Sequence, residues 1–200
     1  MAVKHFPAIN LSGEQSLPTK FAAYTRTAIS LHWAMALLIF TAFPLGVYMH
    51  DLLLTPYKLR LFNYHKWIGM TALIVAVVRV AWRLVYRPPD LPATMPLWER
   101  SAALAMHLLL YALIFAAPLT GWLMSSATGF QTVLFGVIPL PDLIGKDKEL
   151  GQFLLELHRN LDYLLIALIG VHIAAALKHH FFAHDDVLTQ MIPFLRKSDL

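Results

Sequence analysis

Residues 157–180 read LHRNLDYLLIALIGVHIAAALKHH, a run whose only fixed charges are Arg159 and Asp162 at its start and Lys178 at its end. A helix rises about 1.5 Å per residue, so a stretch of this length crosses a hydrocarbon core of about 30 Å. His158 and His172 stand towards its two ends. They are fourteen positions apart, about 21 Å along a helix, and at about 100° per residue they return to within about 40° of one another. Two imidazoles thus share one side of a membrane-spanning helix, one near each surface.

Three other segments have the same character. Residues 27–49, TAISLHWAMALLIFTAFPLGVYM, carry no fixed charge. Residues 65–86, HKWIGMTALIVAVVRVAWRLVY, are apolar up to Arg79 and Arg83, which lie near the end where long side chains reach the interface. Residues 101–125, SAALAMHLLLYALIFAAPLTGWLMS, again hold no fixed charge. Four such spans predict an all-α integral membrane protein, a four-transmembrane-helix bundle over 26–193 between an N-terminal tail, 1–25, and a C-terminal tail, 194–200. The composition agrees: 58% of residues are hydrophobic and 14% charged, with a mean hydropathy of +0.59, against about half and about a quarter in a soluble domain. The first span exceeds the about 7–15 apolar residues of a secretory signal, and no A-x-A-like cleavage site follows, so it is expected to stay in the mature protein.

The 200 residues contain no cysteine. That excludes a disulfide framework, a thiolate zinc site, an iron–sulfur cluster and covalent c-type haem attachment. A net charge of +4 is too small to suggest nucleic acid, and the position of the charges says more. Lys4, Lys20, Arg26, Arg79, Arg83, Arg87, Arg100, Lys178, Arg196 and Lys197 fall on one side, and Lys58, Arg60, Lys66, Lys146, Lys148 and Arg159 on the other, ten against six of the 16 basic residues. By the positive-inside rule both termini are then cytoplasmic. The longest connection, 126–156, faces the periplasm or exterior. Its end, KELGQFLLELHRNL, spaces Leu150, Phe153, Leu154 and Leu157 on one helix face, so the fourth helix is expected to begin before the membrane or to follow an interfacial helix.

Intramembrane histidine is costly unless it has a partner or a task. By depth, His65 and His158 share the outer level, and His32 and His172 the inner one. Imidazoles facing each other from two helices supply the axial ligands of a b-type haem, so two haem b groups are expected. A single buried histidine is more often hydrogen-bonded packing, but four at matching depths on three helices favour ligation. Gly69, Gly170 and Ala174–Ala176 are the small neighbours that would admit a macrocycle. His107 is also inner-level, and is either an alternative ligand to His172 for pairing with His32 or a contact for a propionate or quinone. Arg79 and Arg83 lie on roughly the face of His65, at the inner end, as candidates for propionates; they also suit interfacial anchoring. His50 is read as a solvated helix end. His179, His180 and His184 are read as an exposed basic end, and His5 as part of a poorly ordered tail. Trp33, Trp67, Trp82, Trp98 and Trp122 fit an interfacial belt. No phosphate loop, carboxylate pair, nucleophile elbow or zinc signature is present.

AISLHWAM, YHKWIG, VVRVAWRLVYRPP, MHLLLYALIFAAPLTGWLMSSATG, LHRNLDY and GVHIAAALKHHFFAHDDVLTQMIP, in this order and spacing, resemble the bacterial cytochrome b561 family over about Arg26 to Pro193. The resemblance implies a four-helix dihaem protein of the bacterial inner membrane that exchanges electrons with ubiquinone; some members are superoxide oxidases. The ligand spacing is also similar to the cytochrome b subunits of membrane formate dehydrogenases and hydrogenases, in which the two helix-four histidines serve different haems. That match pairs His158 with His65 and His172 with His32, as depth does.

The expected activity is therefore transfer of electrons between a periplasmic-side donor, superoxide among them, and the ubiquinone pool. Lys58, Arg60 and Lys66 would steer superoxide to the outer haem, and the quinone is sought near His107 and Arg79. Two other functions fit the sequence: an adaptor between quinone and a periplasmic redox protein, and, from a different class, a histidine-lined metal or proton transporter.

Overall fold

The computed structural model describes residues 23–92 and 95–195. Most of the N-terminal tail, with Lys4, His5 and Lys20, and most of the C-terminal tail, with Arg196 and Lys197, lie outside the described residues. Four long helices carry the chain: α1 (Arg26–His50), α2 (Pro56–Val85), α3 (Leu97–Thr128) and α4 (Lys148–Lys178). Each is long and apolar enough to cross a membrane. Between α3 and α4 a short hairpin pairs β1 (Val133–Leu134) antiparallel with β2 (Ile138–Pro139). After α4 the backbone widens into one π-helical turn, His179–Ala183, and a last 3-10 turn covers Pro193–Leu195.

The helix ends follow local chemistry. Thr25 caps α1, its hydroxyl accepting from the Ala28 N–H at 3.2 Å. α2 starts at Pro56, well before the apolar run at His65, because Thr55 caps it at 3.2 Å from the Lys58 N–H and proline suits the first helical position. α4 starts at Lys148, where the Asp147 carboxylate accepts from the Leu150 N–H at 3.0 Å. The fourth helix therefore does begin ahead of its apolar run, as the face of Leu150, Phe153, Leu154 and Leu157 suggested. The Asp147 N–H also donates to Ala127 O at 3.0 Å, fastening the start of α4 to the end of α3. Gly129 ends α3 with φ of 77°, a left-handed conformation in which its N–H returns to the last turn.

α1 packs along α2 and α3 along α4, and α2 against α3 joins the two pairs. The centre draws Met35 from α1, Ala72 and Ala76 from α2, Leu113 and Ile114 from α3, and Leu165 from α4. Large side chains face outward instead: Leu108 is 72% exposed and Leu37 70%. In a bilayer this is the expected distribution, because lipid tails are as apolar as leucine and small residues let helix backbones approach. Trp82 Nε1 donates to Thr25 Oγ1 at 2.8 Å, and Trp33 Nε1 to Met191 O at 2.9 Å, so the segment after α4 is tied back to α1.

Ala76 is 0% exposed at the centre of the bundle. Ala76→Leu should lower stability by about 1–3 kcal/mol through overpacking, read as an earlier transition in detergent-induced unfolding; an unchanged midpoint would mean the helices are looser there than described.

Candidate functional site

Two levels of histidine lie inside the bundle. At the first, His65 of α2 faces His158 of α4 with ring centres 6.0 Å apart and ring planes at 80°. His65 Nδ1 is 3.1 Å from Ala42 O of α1. His158 Nδ1 is 2.8 Å from Ala117 O of α3, with the Thr120 hydroxyl at 3.4 Å. A carbonyl oxygen only accepts, so these contacts assign the proton to Nδ1 in both rings and leave each Nε2 with its lone pair.

The same device is used twice. Gly46 and Gly121 follow Ala42 and Ala117 by one helical turn, and each has a histidine edge where a side chain would be. A Cβ at Gly46 would lie 3.1 Å from His65 Cε1, and one at Gly121 3.1 Å from His158 Cε1. The small residues that matter most here are therefore Gly46 and Gly121. Gly69 and Gly170, singled out in the sequence, have no atom within 4 Å of an added Cβ, and Gly69 instead lines open space. That space is a cavity beside His65 and His158, walled by all four helices through Met35, Ala42, Ala72, Ala117 and Leu165 among others. Asp162 also reaches it, with Oδ2 3.3 Å from His158 Nε2.

At the second level three imidazoles meet. His172 of α4 lies 6.4 Å from His32 of α1, ring centre to ring centre, and 5.5 Å from His107 of α3. Arg79 Nη2 donates to His32 Nδ1 at 3.0 Å and Arg79 Nε to the Tyr111 hydroxyl at 3.1 Å. The guanidinium groups of Arg79 and Arg83 lie 5.6 and 5.7 Å from the centre of the Tyr111 ring. Tyr24, just ahead of α1, is in contact with Arg83, and burial pushes its hydroxyl above the usual tyrosine range. Among the described residues neither arginine has a carboxylate partner.

These donors can be tested against a b-type haem. An axial metal–imidazole bond of about 2 Å on each side, plus about 1 Å from each nitrogen to its ring centre, puts two ring centres about 6 Å apart. The first-level pair meets that spacing; His65 Nε2 is free, and ligation through His158 Nε2 needs Asp162 Oδ2, 3.3 Å away, to move aside. The His32–His172 pair meets the spacing, but Arg79 donates to His32 Nδ1, which leaves the proton on Nε2. Ligation through that atom needs the ring proton on Nδ1 and Arg79 turned away from it.

Of the three basic residues read as steering charges, Lys58 Nζ is folded back onto His50 O at 3.0 Å and Leu52 O at 2.5 Å, and Lys66 Nζ donates to Phe130 O at 2.7 Å. Arg60 is exposed. His50 stands at a solvated end beside Asp51, as read. His179 departs from its reading as an exposed basic end. It is 12% exposed, with Nδ1 2.6 Å from Asp185 and Nε2 3.6 Å from Glu99, because the π-turn brings the chain back under α3. Tyr111, Asp162 and this cluster were not found in the sequence. A small-x-x-x-small spacing, Ala42–Gly46 and Ala117–Gly121, was the available signal for the carbonyl contacts.

A family model described as prokaryotic cytochrome b561 matches residues 23–194. The chain belongs to the prokaryotic cytochrome b561 family. Its relatives include cytochrome b561 homolog 2 of Escherichia coli (strain K12), 34% identical over 171 residues that cover 84% of this chain and 90% of the relative. Cytochrome b561 homolog 1 of the same organism is 29% identical over 175 residues, 85% of this chain and 97% of the relative. A protein named probable superoxide oxidase CybB, from Yersinia pestis, is 27% identical over 171 residues, 85% of this chain and 96% of the relative. Membership implies a b-type haem, and the histidine levels are the groups in this cytochrome b561 that could hold one.

Gly121→Ala would press a methyl against His158, whereas Gly170→Ala meets nothing within 4 Å. In purified protein the first should reduce bound haem, measured by absorbance per chain, and the second should leave it unchanged. Equal haem content in both variants would refute the packing role of Gly121.

Proposed function

We propose that this cytochrome b561 holds two b-type haems and passes electrons between a donor at the outer surface and ubiquinone in the membrane. The observation that carries the reading is the pair of imidazole levels at ring-centre distances of 6.0 and 6.4 Å within one four-helix bundle. Held by these imidazoles, haem would supply one-electron redox chemistry.

The residues divide the task. His65 and His158 would hold one haem, their rings fixed by Ala42 O and Ala117 O. His32 and His172 would serve the other, with His107 as the alternative inner ligand or as a propionate or quinone contact. Arg79 and Arg83 supply two positive charges beside that level with no carboxylate partner among the described residues, and a propionate carboxylate is the counter-ion their position calls for. The apolar residues of the cavity exclude water.

The positive-inside count supports a bacterial inner-membrane orientation with both termini in the cytoplasm. The relative named as a probable superoxide oxidase supports superoxide as donor. In that reaction two superoxide anions each lose one electron and leave as oxygen, while ubiquinone takes two electrons and two protons to become ubiquinol. Lys58, Arg60 and Lys66 would then draw the anion inward, in a manner weakened by salt.

The test is ubiquinol formation by purified protein supplied with a superoxide source. Wild type should form ubiquinol in proportion to superoxide, more slowly at high salt, and His158→Ala should lose most of the rate. No superoxide-dependent ubiquinol would remove superoxide as donor. Reduction only in the presence of a copurified periplasmic protein would favour the adaptor reading instead.

A further inference from the structure

The connection between α3 and α4, 126–156, is expected from the charge count to face the periplasm or exterior. Its sequence and its contacts with α2 say more about its depth. From Ser101 through Pro141 the chain holds no Asp, Glu, Lys or Arg, so the uncharged run of α3 continues through the hairpin and stops only at Asp142. Within it Phe135, Val137 and Ile138 are 56%, 75% and 52% exposed. An uncharged hairpin that turns its largest apolar side chains outward is unlike an ordinary aqueous loop.

Contacts with α2 fix the depth. Trp67 Nε1 donates to Val133 O at 2.7 Å, and the Trp67 ring lies 5.9 Å from the Phe135 ring. Trp67 is the residue at which α2 loses its charges: Lys66 precedes it, and nothing charged follows until Arg79. The hairpin tip is therefore level with the start of the hydrocarbon-facing part of α2. It also continues that surface. Phe135 joins Leu38 and Leu45 of α1 and Tyr64, Trp67 and Ile68 of α2 around one apolar crevice.

Backbone at such a depth must have its polar groups satisfied. Here Leu140 N–H donates to Thr132 O at 2.8 Å, Gly136 N–H to Val133 O at 3.2 Å and Val137 N–H to Leu134 O at 3.1 Å. Side chains add further donors: Lys66 to Phe130 O at 2.7 Å, Trp122 Nε1 to Pro141 O at 3.1 Å, and Gln131 to Leu140 O at 3.2 Å. Gly136, with φ of 76°, allows the tight turn.

We infer that the hairpin of residues 130–141 is embedded in the lipid leaflet at its end of the bundle, with Phe135, Val137 and Ile138 at the boundary between headgroups and acyl chains. The occupant of this apolar surface is lipid, as it is for the adjoining face of α2. The inference stands on charge, depth and hydrogen bonding, and is independent of the haem reading.

The absence of cysteine makes the test clean, because a single introduced thiol is the only one in the chain. Val137→Cys is spin-labelled in the haem-loaded protein in phosphatidylcholine vesicles, and its collisions with oxygen and with a water-soluble nickel chelate are compared. Leu108→Cys on lipid-facing α3 and Glu149→Cys at the exposed start of α4 are the references. The label at 137 should match Leu108→Cys, with high oxygen and low nickel accessibility. Ile138→Cys gives the same readout should the first variant fail to fold. Nickel accessibility equal to that of Glu149→Cys at either position would overturn the inference and leave the hairpin in water, free for a protein partner.

Discussion

An imidazole inside an apolar bundle must have both ring nitrogens occupied, and much of this molecule is arranged around that requirement. At the His65–His158 level each Nδ1 is held by a helix carbonyl from a neighbouring helix, and the backbone reaches it because a glycine stands one turn further on. α1 thereby positions a histidine of α2, and α3 one of α4. These are also the two helix pairs that pack side by side. Packing and the direction of the donor nitrogens are one arrangement: shifting α1 along α2 would move both Ala42 O and Gly46 away from His65.

The His32–His172 level is organised differently. Three imidazoles and a guanidinium share it, and His32 takes a hydrogen bond from Arg79 where His65 and His158 face carbonyls. Two arginines without a carboxylate partner among the described residues mark a place suited to an anion, whereas the His65–His158 level carries a carboxylate, Asp162, at its edge. Opposite electrostatics at the two levels would give two otherwise similar redox groups different surroundings. Tyr111, lying against both arginines, keeps them at this depth rather than at the surface.

The spans were legible because hydropathy in a bilayer is a strong, long-range signal, and the histidine pairs because fourteen positions on a helix return to the same side. What could not be read depends on neighbours distant in sequence. Ala42 O and Ala117 O are backbone atoms with no compositional mark. Gly69 lies one turn from His65 in sequence, while Gly46 adjoins it in space. His107 was visible as a rival to His172, but the structure brings it beside His172, so the two form one cluster. His179 could not be separated from His180 and His184 by composition, since the π-turn that brings it to Asp185 and Glu99 has no sequence signature. The absence of charge from Ser101 through Pro141 is plain in the sequence, but the contact of Trp67 with the hairpin is not.

The central claim is that the histidine pairs form two separate haem sites at two depths. Reduced-minus-oxidised absorption spectra with haem quantification test it most directly, in wild type, His158→Ala and His172→Ala. The account predicts about two b haems per chain in wild type and about one in each variant, with the surviving haem differing in spectrum or potential between the two. A single haem in wild type, or loss of the same haem from both variants, would contradict it.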